Sequence, residues 1–221
     1  MQHIDGRSTY LQNILLKPGG EEAAVAALRA LPLPPEVELL DAYIETGPGF
    51  TYRLATGEIG DTNDRRILTS LWAAPDGFIG TAAASDSWVE KVTLRRIEPD
   101  VVPTPTTAGI TKMVVLRRYK IQGDWDEFLE IWSQVAEMRE RHDFHLTFAV
   151  SDREAREFTW AFTTELDDFA YFMSEGQRDY YADPRRVELE TINAFLEHIT
   201  LTPARRLSAK DRFMGTIRSA S

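Results

Sequence analysis

The sequence predicts an α+β fold: two tandem ferredoxin-like β-α-β-β-α-β halves, packed sheet against sheet within one chain as a pseudo-symmetric barrel. Three observations carry this expectation. The chain of 221 residues is divided near its middle by a proline-rich stretch, EPDVVPTPTTAG. The same order of strand and helix patterns occurs on either side of it, as an internal repeat would. Each half then leaves one sheet face without helices, and the other half's sheet is the natural cover.

The second half is the more clearly punctuated. Met113–Ile121 (MVVLRRYKI) is rich in β-branched residues and reads as a strand. Gly123 breaks it, and Asp124 with Glu127 forms a capping-box-like start to a helix. The apolar spacing of Phe128, Leu129, Ile131, Trp132 and Val135 carries that helix to about Arg141. His145–Val150 and Glu157–Thr163 alternate as a hairpin around SDREAR. Asp167 or Asp168 can cap a second helix through Phe169, Phe172 and Met173, and Phe195–Leu201 gives the closing strand.

In the first half, Thr9–Lys17 is a strand and Pro18-Gly19-Gly20 precedes a helix with Ala23, Val25, Ala26, Leu28 and Leu31. Val37–Glu45 and Arg66–Trp72 follow as strands, joined by a polar loop with Gly47, Gly49, Gly57 and Gly60 that could serve as a lid. Ala73–Val89 is expected to hold a poorly patterned helix, and Lys91–Ile97 closes the half. The domain boundaries expected are 9–98, a linker at 99–111, 112–207, and a basic tail at 208–221.

Composition narrows the function classes. Apolar residues at 43% can build a core, and a net charge of −10 argues against nucleic acid as a partner. The absence of cysteine excludes disulfides, thiolate nucleophiles, iron–sulfur clusters and cysteine-bound zinc. No apolar run approaches the ~20 residues of a membrane span, and the N-terminus lacks the apolar core of a signal peptide. A cytoplasmic protein is expected, with no membrane partner. After Pro203 the chain carries five basic residues and one acidic residue, as in a solvated tail or an arm for an acidic partner.

The run LRRYKIQGDWDEFLEIW, then RERHDFH, EFTWAF and RDYYADPRR, resembles the NIPSNAP proteins of the dimeric α/β-barrel superfamily, over roughly residues 113–207. The first half looks like a diverged copy. The resemblance implies a superfamily containing cofactor-free monooxygenases, haem-handling proteins, isomerases and non-catalytic members, and a homodimer among the possible assemblies. Fold alone therefore does not select a reaction.

Strand alternation supplies candidate site residues. Leu146, Phe148 and Val150, and Phe158, Trp160 and Phe162, are expected to pack under the helices. The opposite, inter-sheet faces then hold a polar set including His145, His198, Arg117 and Tyr119. That set reads either as an internal hydrogen-bond network or as a wet cavity, in which His145 and His198 move protons and Arg117 and Tyr119 touch the ligand. Trp160 and Tyr181 are further candidates for the ligand wall. Asn13 and Trp72 look like the amide and indole with which oxygenases of the superfamily hold an electron-rich substrate. His142 and His145 straddle a helix end, so no metal site is expected. The leading expectation is a small enzyme that oxygenates, cyclises or isomerises an apolar or aromatic, polyketide-like metabolite without a bound organic cofactor. The alternatives are a non-catalytic ligand-binding or assembly protein, and a haem protein.

Overall fold

A computed structural model describes residues 6–61, 66–80, 87–101, 113–142, 144–163 and 175–207. The first half contributes β1 (Ser8–Leu16), α1 (Glu21–Ala30), β2 (Glu38–Glu45), β3 (Phe50–Arg53), β4 (Glu58–Asp61), β5 (Arg66–Ala74) and β6 (Val89–Val101). The second contributes β7 (Met113–Ile121), α2 (Trp125–Glu140), β8 (His145–Asp152), β9 (Glu157–Thr163), α3 (Glu175–Ala182), α4 (Arg185–Leu189), a 3-10 helix (Glu190–Phe195) and β10 (Leu196–Arg206).

The sheet order is β2-β5-β1-β6-β8-β9-β7-β10, and β10 pairs with β2 to close an antiparallel barrel. Each half has the strand order of a ferredoxin-like unit, with its first and third strands at the centre. The glycine-containing loop is not plain coil: β3 and β4 form a hairpin laid on β10. At its base a Cβ on Gly49 would lie 2.2 Å from Leu201 O, so only glycine lets the hairpin approach β10 this closely.

Several expected positions are corrected. Ala73 and Ala74 continue β5, and no helix occurs between β5 and β6 among the described residues; residues 81–86 lie outside them. Strand β6 runs through Pro99 to Val101, with Pro99 opposite Val150 beside a bulge that accommodates its missing N–H. The helix expected around Phe169–Met173 lies outside the described residues, as do the tail at 208–221 and His3.

A second bulge re-aims β8. Leu146 pairs with Phe162, but Phe148 pairs with Ala161, leaving Thr147 as the extra residue. One inserted residue moves every later side chain to the other face. Leu146 therefore packs on the α2 side, while Phe148 and Val150 enter the barrel, contrary to the alternation expected from sequence. The opposite correction applies to β7. Val115, Tyr119 and Ile121 lie under α2, which puts Arg117 there too, and Arg118 takes the barrel face.

Three apolar clusters follow: one under α1, one under α2, and one inside the barrel built on Leu11, Tyr43, Leu71, Val114, Leu116, Phe148 and Val150. A polar network joins the halves beside the inner cluster. Arg118 Nη1 donates to Glu45 Oε1 at 2.7 Å, and Arg118 Nη2 donates to Thr69 Oγ1 at 3.1 Å. Thr69 donates to Asn13 Oδ1 at 2.8 Å, and Thr202 donates to Glu45 Oε1 at 3.1 Å. The backbone N–H of Ile67 reaches Glu45 Oε2 at 3.1 Å. Further along the same seam, Asp41 accepts from Arg206 Nε at 3.0 Å and from the hydroxyl of Tyr43, whose phenol burial pushes well above its ordinary value.

Two predictions follow from these joints. Glu45→Ala leaves the Arg118 guanidinium without its carboxylate and is expected to cost about 2–4 kcal/mol in chemical denaturation, whereas Glu45→Leu with Arg118→Met costs less than the single change. At the other joint, Asp100 is an exposed residue whose carboxyl is nonetheless desolvated, with Ser151 Oγ 2.6 Å away. Burial, against the lowering effect of the Ser151 bond and aided by Glu98, pushes it up to about 6. A raised carboxyl favours the folded state at low pH, and that contribution is lost as pH rises through about 6. Asp100→Asn should therefore melt higher than wild type at pH 8, the gap closing as pH falls from about 6 towards 4, near the unfolded-chain pKa.

Candidate active site beneath α2

The second half places its chemistry between β7, β9 and α2. Gly123, at φ 78°, ends the β7 turn, and Asp124 caps α2 by accepting from the backbone N–H of Asp126 and Glu127 at 3.0 and 2.9 Å. This start fixes the helix rotation so that Trp125, Phe128, Trp132, Val135 and Arg139 face the sheet. From the sheet, Tyr119, Phe158, Trp160 and Phe162 meet them.

Arg117 and Trp160 are direct cross-strand partners, and the Arg117 guanidinium lies 5.4 Å from the Trp160 ring and 5.9 Å from the Tyr119 ring. Its Nη1 donates to Tyr119 Oη at 3.2 Å. The Trp132 and Trp160 rings are 5.8 Å apart, nearly perpendicular. Both indoles are almost fully buried, and among the described residues neither Nε1 has an acceptor; the same is true of Arg117 Nε. Buried N–H groups are rarely left so, because each costs about 1–3 kcal/mol. Deeper along α2, the Arg139 guanidinium sits among aromatic rings, 4.1 Å from Tyr180 and 5.3 Å from Phe162. The rings stand edge-to-face against one another, so the arrangement gathers aromatic faces and N–H donors in one place beneath α2.

Arg117, Tyr119 and Trp160 are thus brought together, although on the helix side of the sheet rather than between the sheets. The other candidates are dispersed. His145 lies at the exposed start of β8, its Nδ1 3.5 Å from Glu140 Oε2. His198 lies level with Lys120 and Arg53, its Nδ1 3.7 Å from Glu197 Oε1. His145 is level with Val114 through Thr163, so most of β7 separates the two histidines, roughly 20 Å at about 3.3 Å per residue. One small ligand does not span both. Tyr181 is half exposed, with the Arg186 guanidinium 4.3 Å from its ring, while the neighbouring Tyr180 is the buried one.

Asn13 and Trp72 face opposite sides of their sheet, because Asn13 pairs with Thr69 and Trp72 with Tyr10. Asn13 belongs to the barrel network, whereas Trp72 packs under α1 and donates to Ser70 Oγ at 2.8 Å. The register makes Gln12 and Ser70 the first-half counterparts of Arg117 and Trp160. On that face the indole is satisfied within the protein. Two open clefts also border the first half, one of about 430 Å³ near Leu33, Phe78 and Ile79, and one of about 500 Å³ lined by Arg29, Arg66, Arg205 and Glu45.

Sequence reasoning weighed His142 only as a metal ligand. Its Nε2 lies 3.3 Å from Asp183 Oδ2, and its ring stands edge-on to Tyr180 at 6.1 Å. Asp183 also accepts from Arg185 Nε at 3.0 Å, and bonds from the Arg185 side chain and backbone, with one from His142, hold its carboxyl well below the usual range. No spacing in RHDFH or ADPRR announces this pair; only the packing of the α3–α4 turn against the end of α2 creates it. Among the described residues no group of three or more histidines and carboxylates could hold a metal.

No family model and no curated protein matches the sequence. Several solved structures share its shape. A candidate monooxygenase from Fusobacterium nucleatum subsp. nucleatum ATCC 25586 superposes with a TM-score of 0.54 at 10% identity, over 90% of this chain and 92% of that one. A candidate monooxygenase from Lactobacillus acidophilus NCFM gives 0.52 at 11%, over 91% and 94%. The chain has the dimeric α/β-barrel fold. Both barrel halves lie here in one polypeptide, so the closure comes from within the chain. No helix of the described residues is long and apolar enough to cross a membrane.

The contrast between the two indoles is measurable. Trp72→Phe removes a buried hydrogen bond and Trp160→Phe removes only an unpaired N–H, with the same loss of ring volume. Trp72→Phe is expected to be the more destabilising by about 1 kcal/mol in parallel denaturation curves.

Proposed function

We propose that this protein is a small enzyme acting on a planar, apolar or aromatic metabolite of polyketide-like chemistry, bound beneath α2, with no resident organic cofactor. The observation that carries this reading is the meeting of Arg117, Tyr119, Trp132 and Trp160, with three buried N–H groups lacking acceptors. The fold shared with two candidate monooxygenases supports oxygenation as the first chemistry to test.

Oxygenation, cyclisation and isomerisation of such substrates all begin by removing a proton from a phenol, an enol or the carbon beside a carbonyl. His142, oriented by Asp183 at the edge of the seam, is the proton acceptor in this reading. The indole and guanidinium donors stabilise negative charge as it develops on the substrate oxygen. In oxygenation, the electron-rich anion then reduces O₂ directly. The likeness of residues 113–207 to NIPSNAP proteins supports the alternative of a non-catalytic binder using the same seam.

A direct test uses 1,3-dihydroxynaphthalene in air with no added cofactor. The expected reaction consumes one O₂ per naphthalene and yields 2-hydroxy-1,4-naphthoquinone and one water. An oxygen electrode and the quinone absorption follow it. Arg117→Met and His142→Gln should each lower the catalysed rate by about tenfold or more. Saturable binding without acceleration over buffer, for this and related phenols, would favour the binding protein over the enzyme.

A further inference from the structure

We infer that the seam beneath α2 takes its aromatic ligand as an oxyanion, a phenolate, enolate or aryl carboxylate, and that Arg117 sets this preference over the neutral form. The inference rests on the reading of this seam as the ligand site and specifies what that site selects. Its first support is the sign of the polar groups on offer. Arg117 Nε, Trp132 Nε1 and Trp160 Nε1 are all donors, and none has an acceptor among the described residues. Indole and guanidinium nitrogens cannot act as acceptors, and the Tyr119 hydroxyl already accepts from Arg117 Nη1, so these donors favour a ligand oxygen that carries charge over one that keeps its proton.

The second support is the setting of the cation. Among the described residues no carboxylate forms an ion pair with Arg117; its recorded partners are the Tyr119 hydroxyl and the faces of Tyr119 and Trp160. Ring faces compensate a guanidinium only in part, and a low-dielectric wall strengthens its attraction for a charge of opposite sign. The third support is that the preference is local. At the equivalent cross-strand position the first half carries Gln12 and Ser70, both uncharged, and its indole is already bonded. The chain as a whole carries a net charge of −10, so general electrostatics repel anions. Any anion preference must therefore arise at a specific site.

The test compares 2-naphthoate with 2-naphthamide, which have the same ring and nearly the same shape, by calorimetry and tryptophan quenching on the full chain at pH 7.5. Naphthoate is expected to bind about tenfold or more tightly than naphthamide. Arg117→Met should abolish that margin by lowering naphthoate affinity about tenfold or more, with a smaller loss for naphthamide, and Arg117→Lys should restore part of it. Trp160→Phe, which keeps a ring but removes an N–H donor, should reduce naphthoate affinity more than naphthamide affinity. It serves as the second variant should Arg117→Met fail to fold. Equal binding of the two probes to wild type would overturn the oxyanion inference while leaving the seam as a ligand site. A naphthoate margin that persists in Arg117→Met would overturn the role of Arg117. Absence of binding and quenching by both probes would remove the site itself, and with it the proposed function.

Discussion

The barrel closes where two buried ion pairs, Arg118–Glu45 and Arg206–Asp41, bridge strand β2 to the second half. Strand β2 meets β10 over only three residue pairs, Ala204 with Glu45, Arg205 with Ile44 and Arg206 with Tyr43. So short a ladder aligns the strands but contributes few backbone hydrogen bonds. Arg118 and Glu45 add a charge-assisted bond across the joint between the halves, with Thr69 and Thr202 accepting further bonds from the guanidinium and Thr202 and the Ile67 N–H donating to the carboxylate. A buried pair of this kind is not a strong source of net stability, since desolvation offsets much of the attraction. Its value is register: slipping β2 by one residue would turn Glu45 out of the barrel and leave Arg118 facing apolar side chains.

The β6–β8 joint repeats the device in weaker form. Asp152 occupies on β8 the place that Glu45 occupies on β2, and its Oδ2 lies 3.3 Å from Arg95 Nε on β6. Both joints thus carry an acidic residue from the second strand of one half and a basic residue from the other half. Between them the interior is apolar, so the charges flank the core instead of interrupting it.

The fold was legible in the sequence because its signals are local. Pro18-Gly19-Gly20 and Gly123 ended β1 and β7, Asp124 started α2, and β-branched runs marked the long strands, whereas β6 and β10 continue through Pro99 and Pro203. Faces were legible only where strands are regular: Phe158, Trp160 and Phe162 lie under α2 as the alternation requires, but Phe148 and Val150 do not. The bulge at Thr147 has no glycine or proline to announce it, so alternation misplaces Phe148 and Val150, while on β7 the neighbouring Arg117 and Arg118 look equally suited to the barrel face. Arg118 and Glu45 went unnoticed because they are far apart in sequence and each alone looks like a surface charge. The seam beneath α2 was half visible. Arg117, Tyr119 and Trp160 could be named from their strands, whereas Trp132 read as ordinary helix core and His142 acquires its partner only through tertiary packing.

Covalent fusion of the two halves has a consequence for what each is free to become. In an assembly of two identical subunits, every substitution appears twice, related by the twofold axis. The residue equivalent to Arg118 would be another arginine, and that equivalent to Arg117 another Arg117. Here the corresponding positions are Asn13 and Gln12. One polypeptide can therefore keep a single set of unsatisfied donors in one half and let the other half become purely structural. Its shape is also independent of dilution, because the partner sheet is always present at the effective concentration set by the connecting chain. Such a molecule has lost the symmetry of its architecture while keeping its geometry, and its two helix-covered sheet faces are free to differ.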